Sequence, residues 1–66
     1  MLFNEQEFRK CLKKTGKSMR GIAEILGIDE STMYRKIQRN GDFRREEINV
    51  LIKEMEIENP EKIFFN

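Results

Sequence analysis

Histidine and tryptophan are absent from this 66-residue chain, and cysteine, proline and tyrosine each occur once. Without histidine, and with a single thiol, the chain lacks the Cys/His ligand sets of zinc sites, so we expect no metal and no cofactor. The lone Cys11 has no base partner and no second cysteine, which argues against an enzyme and excludes an internal disulfide. A free thiol without a signal-peptide pattern predicts a reducing, cytoplasmic setting.

Long apolar runs are also absent. No stretch approaches the roughly 20 apolar residues of a membrane helix, and 38% of the residues are charged. We find no alternating strand pattern, repeat or linker, and the length fits one domain over residues 1–66. These features predict a small all-α protein without membrane association.

Charge is distributed unevenly along the chain, although the formal net charge is only +1. Residues 9–45 contain 11 basic and 4 acidic residues, a balance of +7. Residues 46–66 contain 2 basic and 6 acidic residues, a balance of −4. A basic block beside an acidic segment favours an anionic partner for one face. The alternative is a set of scattered, solvated helix faces.

Capping signals predict a first helix that begins after Asn4. Glu7, three residues later, can complete a capping box with Asn4. Phe3 and Phe8 are spaced as a hydrophobic staple across that cap, and Gly16 ends the helix. Cys11 lies on the apolar side of this helix and is interpreted as a small buried residue.

Two further helices follow with almost nothing between them. Ser18 can cap the second helix, and Gly27 ends it because glycine takes the left-handed conformation at little cost. The apolar positions of this helix are Ile22, Ala23, Ile25 and Leu26. Asp29 or Ser31 can cap the third helix, which is predicted to run to about Arg39.

A fourth helix is predicted over about Arg45 to Met55, followed by a short fifth helix signalled by Asn59 and Pro60. The segment "KIFF", residues 62–65, also fits a short terminal strand. The apolar positions of the five helices and of their connections define the expected core, which comprises Phe8, Leu12, Ile22, Ala23, Leu26, Ile28, Met33, Ile37, Phe43, Ile48, Leu51, Ile52, Met55, Ile57, Ile63 and Phe64.

The segment "GIAEILGIDESTMYRKIQ", residues 21–38, has the pattern of a tight helix-turn-helix. Ala23 is small where the next helix crosses, Gly27 supplies the turn, and Ile28 fills the corner. "IAEILGIDESTMYRKI" resembles the "LAEKLGVSRSTISRIE" pattern of the Cro/repressor-type (xenobiotic-response-element-like) helix-turn-helix family of phage and bacterial regulators. "DFRREEINVLIKEMEI" is similar to the "FTRSEI"-like fourth helix of its short phage members, so the resemblance covers about residues 5–57. The alternative is an αα-corner inside another helical protein.

The resemblance implies a compact four- to five-helix lambda-repressor-like DNA-binding domain, with the helix-turn-helix at about 18–39. Its recognition helix, 30–39, would enter the major groove of double-stranded DNA. The implied base contacts are Glu30, Ser31, Thr32, Tyr34, Arg35 and Gln38. The implied phosphate contacts are Lys17, Ser18, Met19, Arg20, Lys36, Arg39, Asn40 and Arg44, with Arg45 as a further candidate. For each exposed lysine or arginine the alternative is a solvated charge, and for Tyr34 a half-buried rim position.

Several residues depart from the family pattern. Asp29 and Glu30 open the third helix where the family has polar or basic residues, and carboxylates near phosphates weaken DNA binding. Lys36 stands where the family often has an apolar residue, so it is predicted to point sideways towards a phosphate. The two carboxylates and the near-zero net charge favour a rival function, a protein-binding modulator or antirepressor on a helix-turn-helix scaffold.

A single module of this size makes few contacts to DNA, so the resemblance implies a homodimer on a near-palindromic operator, with half-sites about 34 Å apart. We expect a sequence-specific transcriptional regulator in the cytoplasm of a bacterial cell or phage-infected host. The C-terminal piece, residues 57–66, is the predicted dimer contact, through Ile57, Ile63, Phe64 and Phe65. The alternative is that Phe64 completes the core of the monomer.

Overall fold

A computed structural model describes residues 3–64 of the protein. This part of the chain forms five helices and no strand: α1 (Glu5–Thr15), α2 (Met19–Leu26), α3 (Glu30–Gln38), α4 (Arg45–Glu54) and α5 (Pro60–Phe64). The predicted all-α class is therefore confirmed, and Pro60–Phe64 is helical rather than extended. None of these helices is long and apolar enough to cross a membrane.

Side-chain caps set the first two helix starts, as predicted. The Oδ1 atom of Asn4 accepts a hydrogen bond from the N–H of Glu7 at 3.2 Å. The Oγ atom of Ser18 accepts one from the N–H of Gly21 at 3.0 Å. The reciprocal half of the capping box at α1 is not formed, because the Asn4 N–H donates to the carbonyl of Ile63 at 2.8 Å instead.

Glycines in the left-handed conformation end the same two helices. Gly16 has φ 70° and Gly27 has φ 73°, which other residues adopt only with strain. The next start is different, since Asp29 occupies the N-cap position of α3 but its side chain makes no cap hydrogen bond. Asp29 therefore does not act as the predicted side-chain cap, and Ser31, the alternative cap, lies within α3.

The core is built from side chains of all five helices. Its buried members are Phe8, Leu12, Met19, Ile22, Ala23, Met33, Ile37, Leu51, Met55, Ile57, Ile63 and Phe64. Five predicted core residues (Leu26, Ile28, Phe43, Ile48 and Ile52) pack against this cluster while only partly buried. Ile25, an apolar residue of α2 that the expected core does not include, is 45% exposed.

Four phenylalanine rings form a cluster where α1, α5 and the α3–α4 connection meet. Phe3 lies 5.3 Å from Phe8, 5.9 Å from Phe43 and 5.9 Å from Phe64, measured between ring centroids. The contact between Phe3 and Phe8 confirms the predicted hydrophobic staple. Aromatic pairs at these separations stabilise a fold beyond the area that they bury.

The C-terminal segment folds onto α1 of the same chain. Ile57, Ile63 and Phe64 are buried in the core, so they form no exposed apolar surface for the predicted dimer contact. Phe65, the remaining residue of that prediction, lies outside the described residues. The alternative that Phe64 completes the monomer core is the one observed.

Cys11 lies half-buried on α1 beside the C-terminal segment, in a shallow pocket that Ile57 and Ile63 also line. Desolvation raises the pKa of its thiol, and the nearby carboxylate of Glu7 adds to the rise. The side chain therefore remains a neutral thiol at neutral pH, but it is half-buried and not fully buried as the sequence predicts.

Candidate nucleic-acid interface

The connection between α2 and α3 is three residues long and is held by main-chain hydrogen bonds. The N–H of Gly27 donates to the carbonyl of Glu24 at 3.1 Å, and the N–H of Ile28 donates to that of Ala23 at 3.0 Å. Ala23 is buried where α2 packs against α3, and Met33 of α3 is fully buried. Tight packing on both sides of a short connection fixes the angle between the two helices.

Only one face of α3 is used in this packing. Met33 and Ile37, four residues apart, are buried, and Thr32 and Lys36 are half-buried. The side chains exposed on the rest of the helix are Glu30, Ser31, Tyr34, Arg35 and Gln38. Five of the six predicted base-contact residues are therefore exposed, although Tyr34 is only 37% exposed, and the sixth, Thr32, is half-buried.

Cations without a carboxylate partner lie before, within and after α3 in the sequence. Within residues 3–64, no ion pair closer than 4.0 Å involves Lys17, Arg20, Arg35, Arg39 or Arg44. A lysine or arginine that is not already paired can bind a phosphate without first giving up an internal contact. These five cations are therefore available to bind phosphates.

The start of α2 offers uncharged donors in the same region. The N–H groups of Met19 and Arg20 open the helix and have no intrahelical partner. An N-terminus of this kind carries partial positive charge and can bind an anion. The side chain of Met19 is only 6% exposed and packs in the core, so any contact with a phosphate is restricted to its main chain.

Two other predicted phosphate contacts, Lys36 and Asn40, already contact other residues of the protein. The Nζ atom of Lys36 lies 3.3 Å from Oε1 of Glu47 on α4. The Oδ1 atom of Asn40 accepts a hydrogen bond from the N–H of Phe3 at 3.1 Å. Lys36 does point sideways, as predicted, but towards a carboxylate of the protein.

The basic residues of α1 are largely paired with carboxylates. Arg9 lies 2.8 Å from Glu5 and Lys10 lies 3.1 Å from Glu7, both on the same helix. Lys14 reaches Glu58, 3.6 Å away across the fold. The basic block counted along the sequence therefore divides into a mostly paired part on α1, where only Lys13 has no ion pair within residues 3–64, and a mostly unpaired part on and around α2 and α3, where only Lys36 is paired.

Glu7 is the centre of the paired part. Its carboxylate lies 3.1 Å from Lys10 and 3.8 Å from Lys62 of α5. The hydrogen bond from Lys10 lowers the pKa of Glu7, with partial desolvation opposing it and the charges of Lys10 and Lys62 adding to it.

Carboxylates are also present at the candidate interface. Asp29 and Glu30 are exposed at the start of α3, and neither forms an ion pair within the described part of the chain. Their charges oppose a polyanion locally, although Glu30 also has the acceptor geometry that suits a cytosine amino group. Glu47 lies in the first turn of α4, where a carboxylate suits the helix dipole, and it accepts a hydrogen bond from the main-chain N–H of Arg44. The three-residue spacing between Arg44 and Glu47 is the feature of the sequence that indicates this hydrogen bond.

Comparisons of the chain with known protein families, with curated proteins and with solved structures find no match. Among residues 3–64, no group of three or more acidic or cysteine side chains is arranged to share a metal ion. Function is therefore inferred from the exposed face of α3, its neighbouring charges and the helix geometry described above.

Proposed function

We propose that this protein binds double-stranded DNA in a sequence-specific manner and regulates transcription, with α3 lying in the major groove. The observation that carries the proposal is the exposed polar face of α3, together with cations before and after α3 in the sequence that form no ion pair within residues 3–64. An α-helix fits the major groove of B-DNA, where base edges present distinct hydrogen-bonding patterns. The resemblance of residues 5–57 to Cro/repressor-type regulators supports the same function.

The side chains on α3 suit base recognition. Arg35 can donate two hydrogen bonds to the acceptor edge of guanine, and Gln38 can pair with adenine. Ser31 and Tyr34, exposed on the same helix, can reach either a base or a phosphate. Specificity in the proposal therefore comes from the middle and end of α3.

The residues around α3 suit phosphate contacts. Lys17, Arg20, Arg39 and Arg44 supply charge, and the N-terminus of α2 supplies main-chain N–H groups. Each lysine or arginine that neutralises a phosphate releases counterions, which makes the affinity fall as salt concentration rises. The proposal thus predicts strong salt dependence despite a net charge of only +1.

The protein acts as a homodimer in this proposal, because one recognition helix reads only a few base pairs. Two copies on a near-palindromic site would place their half-sites about 34 Å apart, one turn of DNA. The burial of Ile57, Ile63 and Phe64 within one chain means that the contact between copies uses other residues.

Selection from a random-sequence duplex pool at two salt concentrations tests the proposal. We expect enrichment of a two-fold symmetric sequence whose binding weakens steeply at the higher salt. Sedimentation of the protein with the selected duplex should give two chains per site. Weak binding at both salts without an enriched sequence would overturn the DNA-binding function.

The exposed carboxylates Asp29 and Glu30 favour one second candidate, a modulator that binds another regulatory protein through the α3 face. In that case Asp29→Asn and Glu30→Gln would weaken binding to the protein partner. On the DNA-binding proposal, removing the charge of Asp29 should leave binding unchanged or tighten it, since phosphate repulsion is reduced.

A further inference from the structure

Three segments meet at one carboxylate oxygen, Oε1 of Glu47. This atom accepts a hydrogen bond from the N–H of Arg44 at 2.8 Å, at the start of α4. The same atom lies 3.3 Å from Nζ of Lys36, which belongs to the last part of α3. Glu47 therefore links α3, the α3–α4 connection and the first turn of α4.

Lys36 binds the connection through its main chain as well. Its carbonyl accepts hydrogen bonds from the N–H groups of Gly41 and Asp42, both at 3.0 Å. Its ammonium also lies 3.4 Å from the carbonyl of Asp42. The connection turns sharply here, with φ 66° at Asn40 and φ 73° at Gly41. The Lys36–Glu47 pair closes this turn against α4.

The pair is better shielded than the ion pairs of α1. The side chains of Lys36 and Glu47 are 20% and 14% exposed, whereas those of Arg9 and Glu5 are both 49% exposed. Partly buried pairs are screened less by salt than exposed ones. Two cations without an ion pair in the described chain, Arg39 and Arg44, flank the turn that the pair closes.

We propose that Glu47 is a positioning residue for DNA binding, which holds the Lys36 side chain and the α3–α4 connection so that Arg39 and Arg44 lie beside the recognition helix. The inference rests on the proposed function. It assigns Lys36 to the same positioning role and replaces its expected contact with a phosphate.

Charge alone makes the opposite prediction. Replacing Glu47 by a neutral residue removes a negative charge near the polyanion and releases Lys36, which on electrostatic grounds tightens DNA binding. On the positioning proposal the same change weakens binding, because the turn and its two cations lose their fixed arrangement. Whether Glu47→Gln tightens or weakens DNA binding therefore distinguishes a purely electrostatic effect from the positioning role.

Glu47→Gln is the test variant, and Glu46→Gln is its matched control. Glutamine at position 47 retains an acceptor for the N–H of Arg44 but loses the ionic link to Lys36. Glu46 lies in the same first turn of α4, is exposed and makes no ion pair within residues 3–64. We expect Glu47→Gln to reduce affinity for the selected duplex by at least about fivefold, and Glu46→Gln to leave it equal or tighter.

A double-mutant cycle with Lys36→Met sharpens the result. If both residues act through one contact, Lys36→Met combined with Glu47→Gln should weaken binding no more than either change alone. If Lys36 contacted a phosphate independently, its loss would add to the effect of Glu47→Gln.

Amide hydrogen exchange of the free protein gives a readout that does not depend on DNA. Exchange at Gly41 and Asp42 should accelerate in Glu47→Gln and remain unchanged in Glu46→Gln. If Glu47→Gln does not fold, Lys36→Met breaks the same pair from its other side and should accelerate exchange at Gly41 and Asp42.

The outcomes are distinguishable. Unchanged exchange in the folded Glu47→Gln variant, or affinity equal to that of Glu46→Gln, would overturn the positioning role while leaving DNA binding intact. Failure of the wild-type protein to select any duplex would instead overturn the proposed function and, with it, the role of Glu47 in DNA binding.

Discussion

The α1–α5 side of the molecule and the α2–α3 side both carry basic residues, but they use them differently. On α1, Arg9, Lys10 and Lys14 each lie within 4.0 Å of a carboxylate. Around α2 and α3, Arg20 and Arg35 have no such partner in the described chain. Exposed ion pairs add little stability, yet they decide which cations are available to an external anion.

The difference shows that a count of charges along a sequence does not measure the charge offered to a partner. The partner of Lys14 is Glu58, 44 positions later, and the partner of Lys36 is Glu47 on the next helix. In both cases a residue of the basic block is neutralised from the acidic segment. Within the basic block, the cations left without an ion pair in the described chain are consequently, apart from Lys13, those on and next to α2 and α3 in the sequence.

The largest expected effect is on stability and is caused by substitution at Gly41, which lies in the α3–α4 connection against the side chain of Phe3. A Cβ atom there would lie 2.5 Å from the ring of Phe3, and φ is +73°. We expect Gly41→Ala to lower the free energy of unfolding by about 2–4 kcal/mol, from backbone strain and overpacking together. Urea denaturation measures this change.

Gly27→Ala is the matched control for Gly41→Ala. Gly27 has the same φ of +73°, but a Cβ atom there would meet nothing within 4 Å. Its replacement should cost only the strain, about 1–2 kcal/mol. Equal losses for the two variants would show that the contact with Phe3 adds nothing.

Arg35→Ala and Arg9→Ala compare an unpaired cation with a paired one. On the DNA-binding proposal, Arg35→Ala should cost about 1–3 kcal/mol of binding free energy and relax specificity at one base pair. Arg9→Ala should change binding little, because Arg9 already contacts Glu5. Titration of the selected duplex and of single-base variants measures both effects. A larger loss for Arg9→Ala would reverse the assignment of the two sides.

Ser18→Ala and Asn4→Ala compare equivalent helix caps on the two sides. Each change removes one hydrogen bond to a helix N–H and should lower stability by about 1 kcal/mol. On the DNA-binding proposal, only Ser18→Ala should also weaken DNA binding at a temperature where both variants are folded, because the proposal places the N-terminus of α2 against a phosphate. Equal affinities of the two variants would contradict the placement of the α2 N-terminus against DNA.

The smallest expected effect is the pH dependence contributed by Glu7. Its folded-state pKa is lowered, so its ionised form stabilises the fold above the ordinary glutamate pKa, and this contribution is lost as pH falls through the folded-state pKa. Glu7→Gln should therefore be less stable than the wild type at pH 7, and the difference should vanish in acid.

Urea denaturation at several pH values measures the effect of Glu7→Gln. Glu61→Gln is the control, since Glu61 is exposed on α5 and makes no ion pair within residues 3–64. A stability difference that persisted unchanged in acid would show that Glu7 acts by packing rather than through its charge.

Local features of the fold were predictable from the sequence. The caps at Asn4 and Ser18 and the glycine ends at Gly16 and Gly27 depend on residues within one turn of each other. Most apolar positions were also identified, because helical periodicity is a local property. Met19 is the main buried residue that the expected core omits, because it lies at a helix N-terminus, which we interpret from the sequence as a surface feature.

Contacts between distant residues were not predictable in the same way. Nothing in the neighbourhood of Asn40 indicates that its side chain accepts a hydrogen bond from Phe3, 37 positions earlier. The ion pair of Lys36 with Glu47 depends on how α3 and α4 pack, and no periodic pattern encodes that arrangement. These long-range pairings separate the available cations from the engaged ones.

The position of Cys11 makes its thiol an intrinsic probe of the docking of the C-terminal segment. It is the only thiol in the chain, and it lies against the C-terminal segment with its pKa raised by burial. Thiolate is the form that alkylating reagents attack, so we expect labelling to be slower while α5 is docked on α1 than when α5 detaches. A change in labelling rate between variants would thus report on the docking of the C-terminal segment without any introduced probe.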